Sequence, residues 1–218
     1  MIIAIDGPAG AGKSTVAKII AKKLGFLYID TGAMYRAITL KALENGIDIK
    51  DTQKITEAAS ASTIDLINNP DSSLKVLLDS RDVSLEIRQP RITQFVSDIA
   101  KIKSVREVML KMQRKLGHQV NAVLDGRDIG TVVFPDAKKK FYIDADFKER
   151  VNRRHKELKD LDQGITVESV SLDLSNRDTI DSTRECAPLK KADDAIFIDT
   201  TNLTIEEVAE KVLGYIHG

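Results

Sequence analysis

The chain has 218 residues, with 33 Lys and Arg set against 33 Asp and Glu, and one cysteine, Cys186. That length holds one good α/β core with room for an inserted lobe, but not a second full domain. The balanced charge excludes the broad positive field of a non-specific nucleic-acid binder, and the lone thiol excludes an internal disulfide and fits a reducing compartment. No apolar run approaches a membrane span and no basic segment leads into a hydrophobic one at the start. The expectation is therefore a soluble, cytoplasmic protein with no membrane or nucleic-acid partner. Nothing suggests an extended apolar interface, so a monomer is expected.

The run Met1-Ile2-Ile3-Ala4-Ile5-Asp6 reads as a buried strand feeding Gly7-Pro8-Ala9-Gly10-Ala11-Gly12-Lys13-Ser14-Thr15, which matches G-x-x-x-x-G-K-S. Its glycines let the backbone curl until successive N–H groups point at phosphate oxygens. Lys13 adds a mobile positive charge, and the Ser14 hydroxyl can reach Mg²⁺. The following helix carries Val16, Ile19, Ile20 and Leu24 at helical spacing and ends at Gly25. Phe26 to Ile29 forms a short strand that stops at Asp30-Thr31-Gly32, and a helix over Ala33 to Glu44 closes at Asn45-Gly46. This is β-α-β-α, the opening of a parallel sheet.

Between about Asp51 and Pro90 the pattern changes. An Ala- and Ser-rich helix precedes strands at Thr63 to Ile67, Lys75 to Leu78 and Val83 to Leu85, whose tight connections require antiparallel pairing. Helices are expected over Ile92 to Lys101 and from a capping box at Ser104 to Glu107 as far as Gly117. The α/β rhythm resumes with strand Ala122 to Asp125, the turn Gly126-Arg127-Asp128, and strand Lys140 to Ile143. A charged helix runs from Asp146 through Asp162 to a break at Gly164, and another covers Val167 to Asp181. Strand Ala195 to Asp199 and a final helix capped by Thr204 to Glu207 complete five parallel strands with helices on both faces.

A phosphate loop alone indicates a nucleotide and not a reaction. The rest of the chain adds Arg36, Arg106, Arg127, Arg150, Arg153, Arg154, Arg177 and Arg184 at expected strand, helix and loop ends. Several bidentate donors near one phosphate loop suit a reaction between two anions, whose repulsion must be offset while they are held in line. A phosphate acceptor is largely ionised near neutral pH and needs positioning more than a general base. Each arginine also has a plainer reading. Arg150, Arg153 and Arg154 fall at i, i+3, i+4 on one helix face and, with Lys148, Lys156 and Lys159 nearby, could be a solvated surface; Arg177, Asp181 and Arg184 have helix ion-pair spacing. Asp30 could be an N-cap, and Asp125 to Asp128 a loop ion pair. His118, His155 and His217 lack metal-ligand spacing.

Ile5 to Ser14, Asp30-Thr31-Gly32-Ala33-Met34-Tyr35-Arg36, Leu124 to Pro135 and Ala187-Pro188-Leu189 together resemble bacterial cytidylate kinases over essentially the whole chain. The resemblance implies an α/β, three-layer P-loop kinase core with a five-stranded parallel sheet in one domain, 1–218. Its acceptor-binding lobe, with the small antiparallel sheet, would span 31–105 and a short helical lid 146–165. It implies ATP as donor, Mg²⁺ as required ion, and CMP or dCMP as acceptor. By position, Gly7, Pro8, Ala9, Gly10, Ala11, Gly12, Lys13, Ser14 and Thr15 would hold ATP. Thr31 and Arg36 would lie near the acceptor phosphate, with Arg127 and Arg184 as further phosphate partners. Ser97, Arg106 and Asp128 would read cytosine, and Arg177 and Asp181 would contact sugar and phosphate. Arg150 and Arg154 would belong to the lid, so the catalytic set is Lys13, Arg127, Arg150, Arg154 and Arg184. Ser14, where many members have glycine, would meet Mg²⁺ directly and Asp125 would meet it through water. Threonine at position 31 keeps the hydroxyl of the family's usual serine.

Rival readings are a kinase for UMP or a phosphorylated metabolite, and a nucleotide-controlled switch. No Asn-Lys-x-Asp guanine-reading sequence supports the switch. Nucleic-acid binding through the helix around Arg150 is weakened by Glu149, Glu157, Asp160 and Asp162.

Overall fold

The structure is a computed structural model that describes residues 1–71, 73–118, 120–159 and 164–217. The first strand, β1 (Ile2–Asp6), leads through the glycine-rich loop into α1 (Lys13–Leu24). Next come β2 (Leu27–Asp30), α2 (Thr31–Glu44) and α3 (Thr52–Ser60). The antiparallel strands β3 (Ile64–Asn68), β4 (Leu74–Leu78) and β5 (Arg81–Asp82) follow, then α4 (Pro90–Thr93), α5 (Val96–Ala100) and α6 (Lys103–His118). β6 (Ala122–Gly126) runs into a single π-helical turn, Ile129–Val133, before β7 (Lys139–Asp144), α7 (Phe147–Lys159), α8 (Val167–Thr183), β8 (Ile196–Asp199) and α9 (Ile205–His217).

The main sheet has five strands in the order β2-β6-β1-β7-β8, every adjacent pair parallel. Ile3, Ala4 and Ile5 of β1 are consecutive and fully buried. Since side chains alternate between faces, both faces of this strand are covered, as the continuous apolar run implies. α1 packs on β2, β6 and α9 on one side. Parallel order brings the carboxyl ends of β1, β2, β6 and β7 to one edge, where open α/β sheets bind ligands.

The three-stranded sheet β3-β4-β5 is separate and antiparallel. It is moored to the core by Asn68, whose amide accepts from the Tyr28 N–H at 3.1 Å and donates to the Tyr28 carbonyl at 3.0 Å. One side chain thus supplies the pairing of a further strand at the exposed edge of β2. A second small core, Ala9, Val151, Val170 and Leu174, joins α7 and α8 to the glycine-rich loop.

Several expected elements shift. The third antiparallel strand is Arg81–Asp82 and not Val83 to Leu85; Val83 instead closes the edge through its N–H to the Val76 carbonyl. The helix expected over Ile92 to Lys101 divides into α4 and α5, because the chain turns at Gln94 and Phe95 to bury both Ile92 and Val96-Ser97. Ser104 does not cap α6, which starts at Lys103; its hydroxyl shares a 2.7 Å bond with Thr56 of α3. The capping box at Thr204 and Glu207 does form, with reciprocal bonds of 2.8 and 3.2 Å. The continuation of the charged helix through Asp160 to Asp162 lies outside the described residues. No helix among the described residues is long and apolar enough to cross a membrane.

Candidate active site

The glycine-rich loop curls at the carboxyl end of β1. Gly7 has φ 147°, and a Cβ there would lie 1.9 Å from the Ile143 carbonyl oxygen of β7. Gly10 has φ 79° and passes under α7, where a Cβ would lie 3.0 Å from the Arg150 carbonyl oxygen. Only glycine allows both the left-handed backbone and this approach. Lys13, buried in the first turn of α1, donates from Nζ to the Pro8 carbonyl at 2.6 Å. Burial and then Arg127 push its pKa down, a cost that an anion in the loop relieves. The N–H groups at the start of α1 face the same space, and Ser14 and Thr15 stand exposed on that turn.

Ser14 donates to Asp125 Oδ2 at 2.6 Å, and the Tyr28 hydroxyl donates to Asp125 Oδ1 at 2.8 Å. Burial, followed by the neighbouring Asp30, pushes the Asp125 carboxyl up. A crowded carboxylate beside a hydroxyl on the phosphate loop is a set of hard oxygen donors that suits Mg²⁺ better than a softer metal. Thr31, at the N-terminus of α2, donates to the Asp125 carbonyl at 2.7 Å. Asp30 does cap α2, accepting from the Ala33 N–H at 2.7 Å, while its second oxygen holds Arg36 at 3.2 Å. The N-cap reading of Asp30 is thus met, and the same carboxylate also holds Arg36.

Across the cleft, side chains from α5, α6, α8 and the loop after β6 form one network. Asp128 Oδ2 accepts from Arg106 at 2.5 Å, and its Oδ1 lies 3.6 Å from Arg184. Asp181 accepts from Arg127 Nε at 2.9 Å, and the Ser97 hydroxyl reaches it at 3.4 Å. Arg127 therefore pairs across to α8 and not with Asp128 beside it. Arg106 also stacks over Tyr35, 5.7 Å from its ring centre. Burial alone would raise Asp181, but Arg127 and Arg184 outweigh it and hold the carboxyl below its ordinary range.

Arg177 is half-buried; its Nε is covered and makes no hydrogen bond, and Asp173 lies 3.8 Å from its guanidinium. Burial, then Arg127, then Arg154 bring its pKa down to about 10. The Nε of Arg154 and of Arg36 and the Nη2 of Arg184 are likewise buried without a hydrogen bond. Each is a donor that an anion could take up.

The three arginines of α7 point to different partners. Arg150 donates to the Ala9 carbonyl at 3.1 Å and to Asp178 at 2.6 Å, fastening α7 to the phosphate loop and α8. Arg153 bonds Glu149 and the Thr200 carbonyl, at 2.8 and 2.6 Å. Arg154 meets Glu157 at 2.8 Å and is close enough to Arg177 to help lower its pKa. The solvated-face alternative fails for Arg150, which is buried.

A cytidylate kinase family model matches residues 3–218. The chain belongs to the cytidylate kinase family. It is 51% identical over 217 residues to the cytidylate kinase of Clostridioides difficile, covering 100% of this chain and 98% of that one. It is 53% identical over 210 residues to the cytidylate kinase of Caldanaerobacter subterraneus, covering 96% and 92%. Among solved structures, the shikimate kinase of Bacteroides thetaiotaomicron superposes with a TM-score of 0.50 at 11% identity, over 100% of this chain and 99% of that one. An uncharacterized protein from Eubacterium ventriosum gives 0.56 at 12%, over 100% and 98%. Both likenesses concern the fold. Membership makes this chain a kinase with ATP as its phosphoryl donor.

Three features of this family member's site were not singled out from the sequence. Asp6 accepts from the Ile129 and Gly130 N–H groups, both at 2.8 Å. Tyr28 orients Asp125, and Asp178 anchors Arg150. Asp6 had one visible signal, a carboxylate closing an otherwise apolar strand. Tyr28 and Asp178 had none, because their partners are 97 and 28 residues away.

Proposed function

We propose that the chain transfers the γ-phosphoryl group of ATP to CMP or dCMP, giving ADP and CDP or dCDP, as a cytoplasmic monomer acting on free nucleotides. The observation that carries this reading is the set of buried guanidinium nitrogens without a hydrogen bond on Arg154, Arg177 and Arg184, beside a polar cluster of Ser97, Arg106 and Asp128. A switch or motor needs no such second anion site.

In this reading Gly7 to Thr15 cradle the ATP phosphates, and Lys13 exchanges the Pro8 carbonyl for a phosphate oxygen where charge develops. Arg36, Arg127, Arg177 and Arg184 receive the acceptor phosphate and align it, with Thr31 at the lobe's edge. That nucleophile is already ionised and needs no general base. Ser97, Arg106 and Asp128 read the base: the exocyclic amine of cytosine donates where uracil offers a carbonyl, so a carboxylate favours cytosine and repels uracil. Leaving such a buried group unpaired discriminates strongly. Asp181 orients Arg127 and reaches the sugar side.

Residues 31–105 act as the acceptor lobe, hinged at Asn68 on Tyr28, and residues 146–165 as the lid. Arg150 ties lid motion to the donor loop, and Arg154 swings from Glu157 to the phosphates as the lid excludes water. Ser14 and, through water, Asp125 would hold Mg²⁺. That ion, when bound, neutralises phosphate charge. An ADP-release assay across CMP, dCMP, UMP, AMP and GMP tests the reading. CMP and dCMP should be turned over far ahead of the rest; equal turnover of UMP, or none of CMP, overturns it.

A further inference from the structure

The loop that carries Arg127 and Asp128 ends in the π-helical turn Ile129–Val133. Like any helix start, that turn has N–H groups without internal partners. Asp128 occupies its N-cap position, and aspartate there ordinarily turns its carboxylate inward to accept from the first N–H groups. Here Asp128 makes no such bond. Its carbonyl accepts from Val132 and Val133, but its carboxylate faces away, toward Arg106 and Arg184. The N–H groups of Ile129 and Gly130 are satisfied instead by Asp6, from the end of β1.

We propose that Asp6 is a positioning residue for acceptor specificity: by capping the turn in place of Asp128, it keeps the Asp128 carboxylate free to face the base. The proposal rests on the reading of Asp128 as a cytosine reader and adds the residue that releases it for that task. Asp6 is almost fully buried, so its carboxylate has no solvent to prefer. Its two oxygens divide between the two N–H groups, and Oδ2 lies 3.4 Å from where a Cβ on Gly130 would stand. Removing the Asp6 charge leaves one N–H without an acceptor, and Asp128 stands at the N-cap position from which an aspartate ordinarily supplies one. A rotation of Asp128 toward its own turn then withdraws it from Arg106 and from the base. The donor loop, although it begins at the next residue, is held by its own backbone and by the contact of Lys13 with Pro8. Its charge also acts on Lys13, so the readout specific to the acceptor is the CMP/UMP ratio.

The test is steady-state kinetics with CMP and UMP on the wild type, Asp6→Asn, Asp128→Ala and the double variant. Asp6→Asn should raise KM for CMP about tenfold, as expected for losing a charge-assisted hydrogen bond, and narrow the CMP/UMP ratio of kcat/KM. On the Asp128→Ala background, Asp6→Asn should change the CMP/UMP ratio less than about twofold, because the two residues then act through one group. An unchanged ratio, or full additivity in the double variant, overturns the proposal. Should Asp6→Asn not fold, amide exchange on the wild type decides: protection of Ile129 and Gly130 matching that of β1 is expected, and free exchange refutes the cap. A wild type without preference for CMP over UMP would instead overturn the cytosine reading of Asp128, so the two failures are distinguishable.

Discussion

The two sides of the cleft are built by different means. In the proposed reading the donor side is contiguous, Gly7 to Thr15, and would bind mostly through backbone N–H groups shaped by glycine dihedral angles. The proposed acceptor side is assembled from side chains at positions 36, 97, 106, 127, 128, 177, 181 and 184, drawn from separate elements and in part locked by buried ion pairs. A backbone cradle reads only phosphate, which every nucleoside triphosphate carries. A side-chain cluster can distinguish one base from another, because each buried donor or acceptor must find its complement. The contrast teaches that generality and specificity here occupy opposite walls of one cleft.

The strongest way to break the contrast is Lys13→Ala. It removes the one side chain on which the donor wall depends and should lower kcat about 10³-fold while leaving CMP affinity nearly unchanged. Near-normal kcat in a single-turnover assay would refute the role. Asp128→Ala should lower kcat/KM for CMP about 10²-fold and narrow the CMP/UMP ratio. Because Arg106 and Arg184 would be left buried and short of a partner, it should also cost about 3 kcal/mol of stability, read by denaturant unfolding. A stable variant with an unchanged ratio would mean that Asp128 does not read the base.

Arg154→Ala sharpens the contrast by testing a residue that serves both walls only when the lid closes. Its kcat should fall about 30-fold with CMP binding altered less than about threefold, as for a contact made only in the closed state. Calorimetry showing lost CMP binding instead would place Arg154 in the open acceptor site. The smallest expected effect is Tyr28→Phe, which removes one hydrogen bond to Asp125 and should raise the Mg²⁺ concentration needed for half-maximal rate about fivefold. Titration of Mg²⁺ against rate, together with Mg²⁺ binding measured by calorimetry in the presence of ADP, checks it. Ser14→Ala should shift the same titration further.

Much of the fold was legible because its signals are local. The apolar run of β1, the glycines of the loop and the capping box at Thr204 and Glu207 each depend on residues close in sequence. The division of α4 from α5 was not legible: Ile92 to Lys101 has no strong breaker, and the turn at Phe95 follows from where Ile92, Val96 and Ser97 must be buried. Ser104 and Glu107 have the spacing of a cap, but Thr56 of α3 offers the serine a different partner. For Arg150, Arg153 and Arg154, helical spacing placed all three near one face without telling that Ala9, Thr200 and Glu157 would draw them apart.

By itself the sequence determined the parallel α/β plan and the phosphate loop, because propensity, periodicity and glycine geometry act over a few residues; the proposed acceptor residues were named through resemblance to the cytidylate kinases. Only the tertiary structure decided the pairings: Asp128 with Arg106, Arg127 with Asp181, Asp125 with Tyr28 and Ser14, and Asp6 with the turn after Asp128. Hydrogen bonds and ion pairs depend on separation in space, and folding sets that separation for residues far apart in the chain.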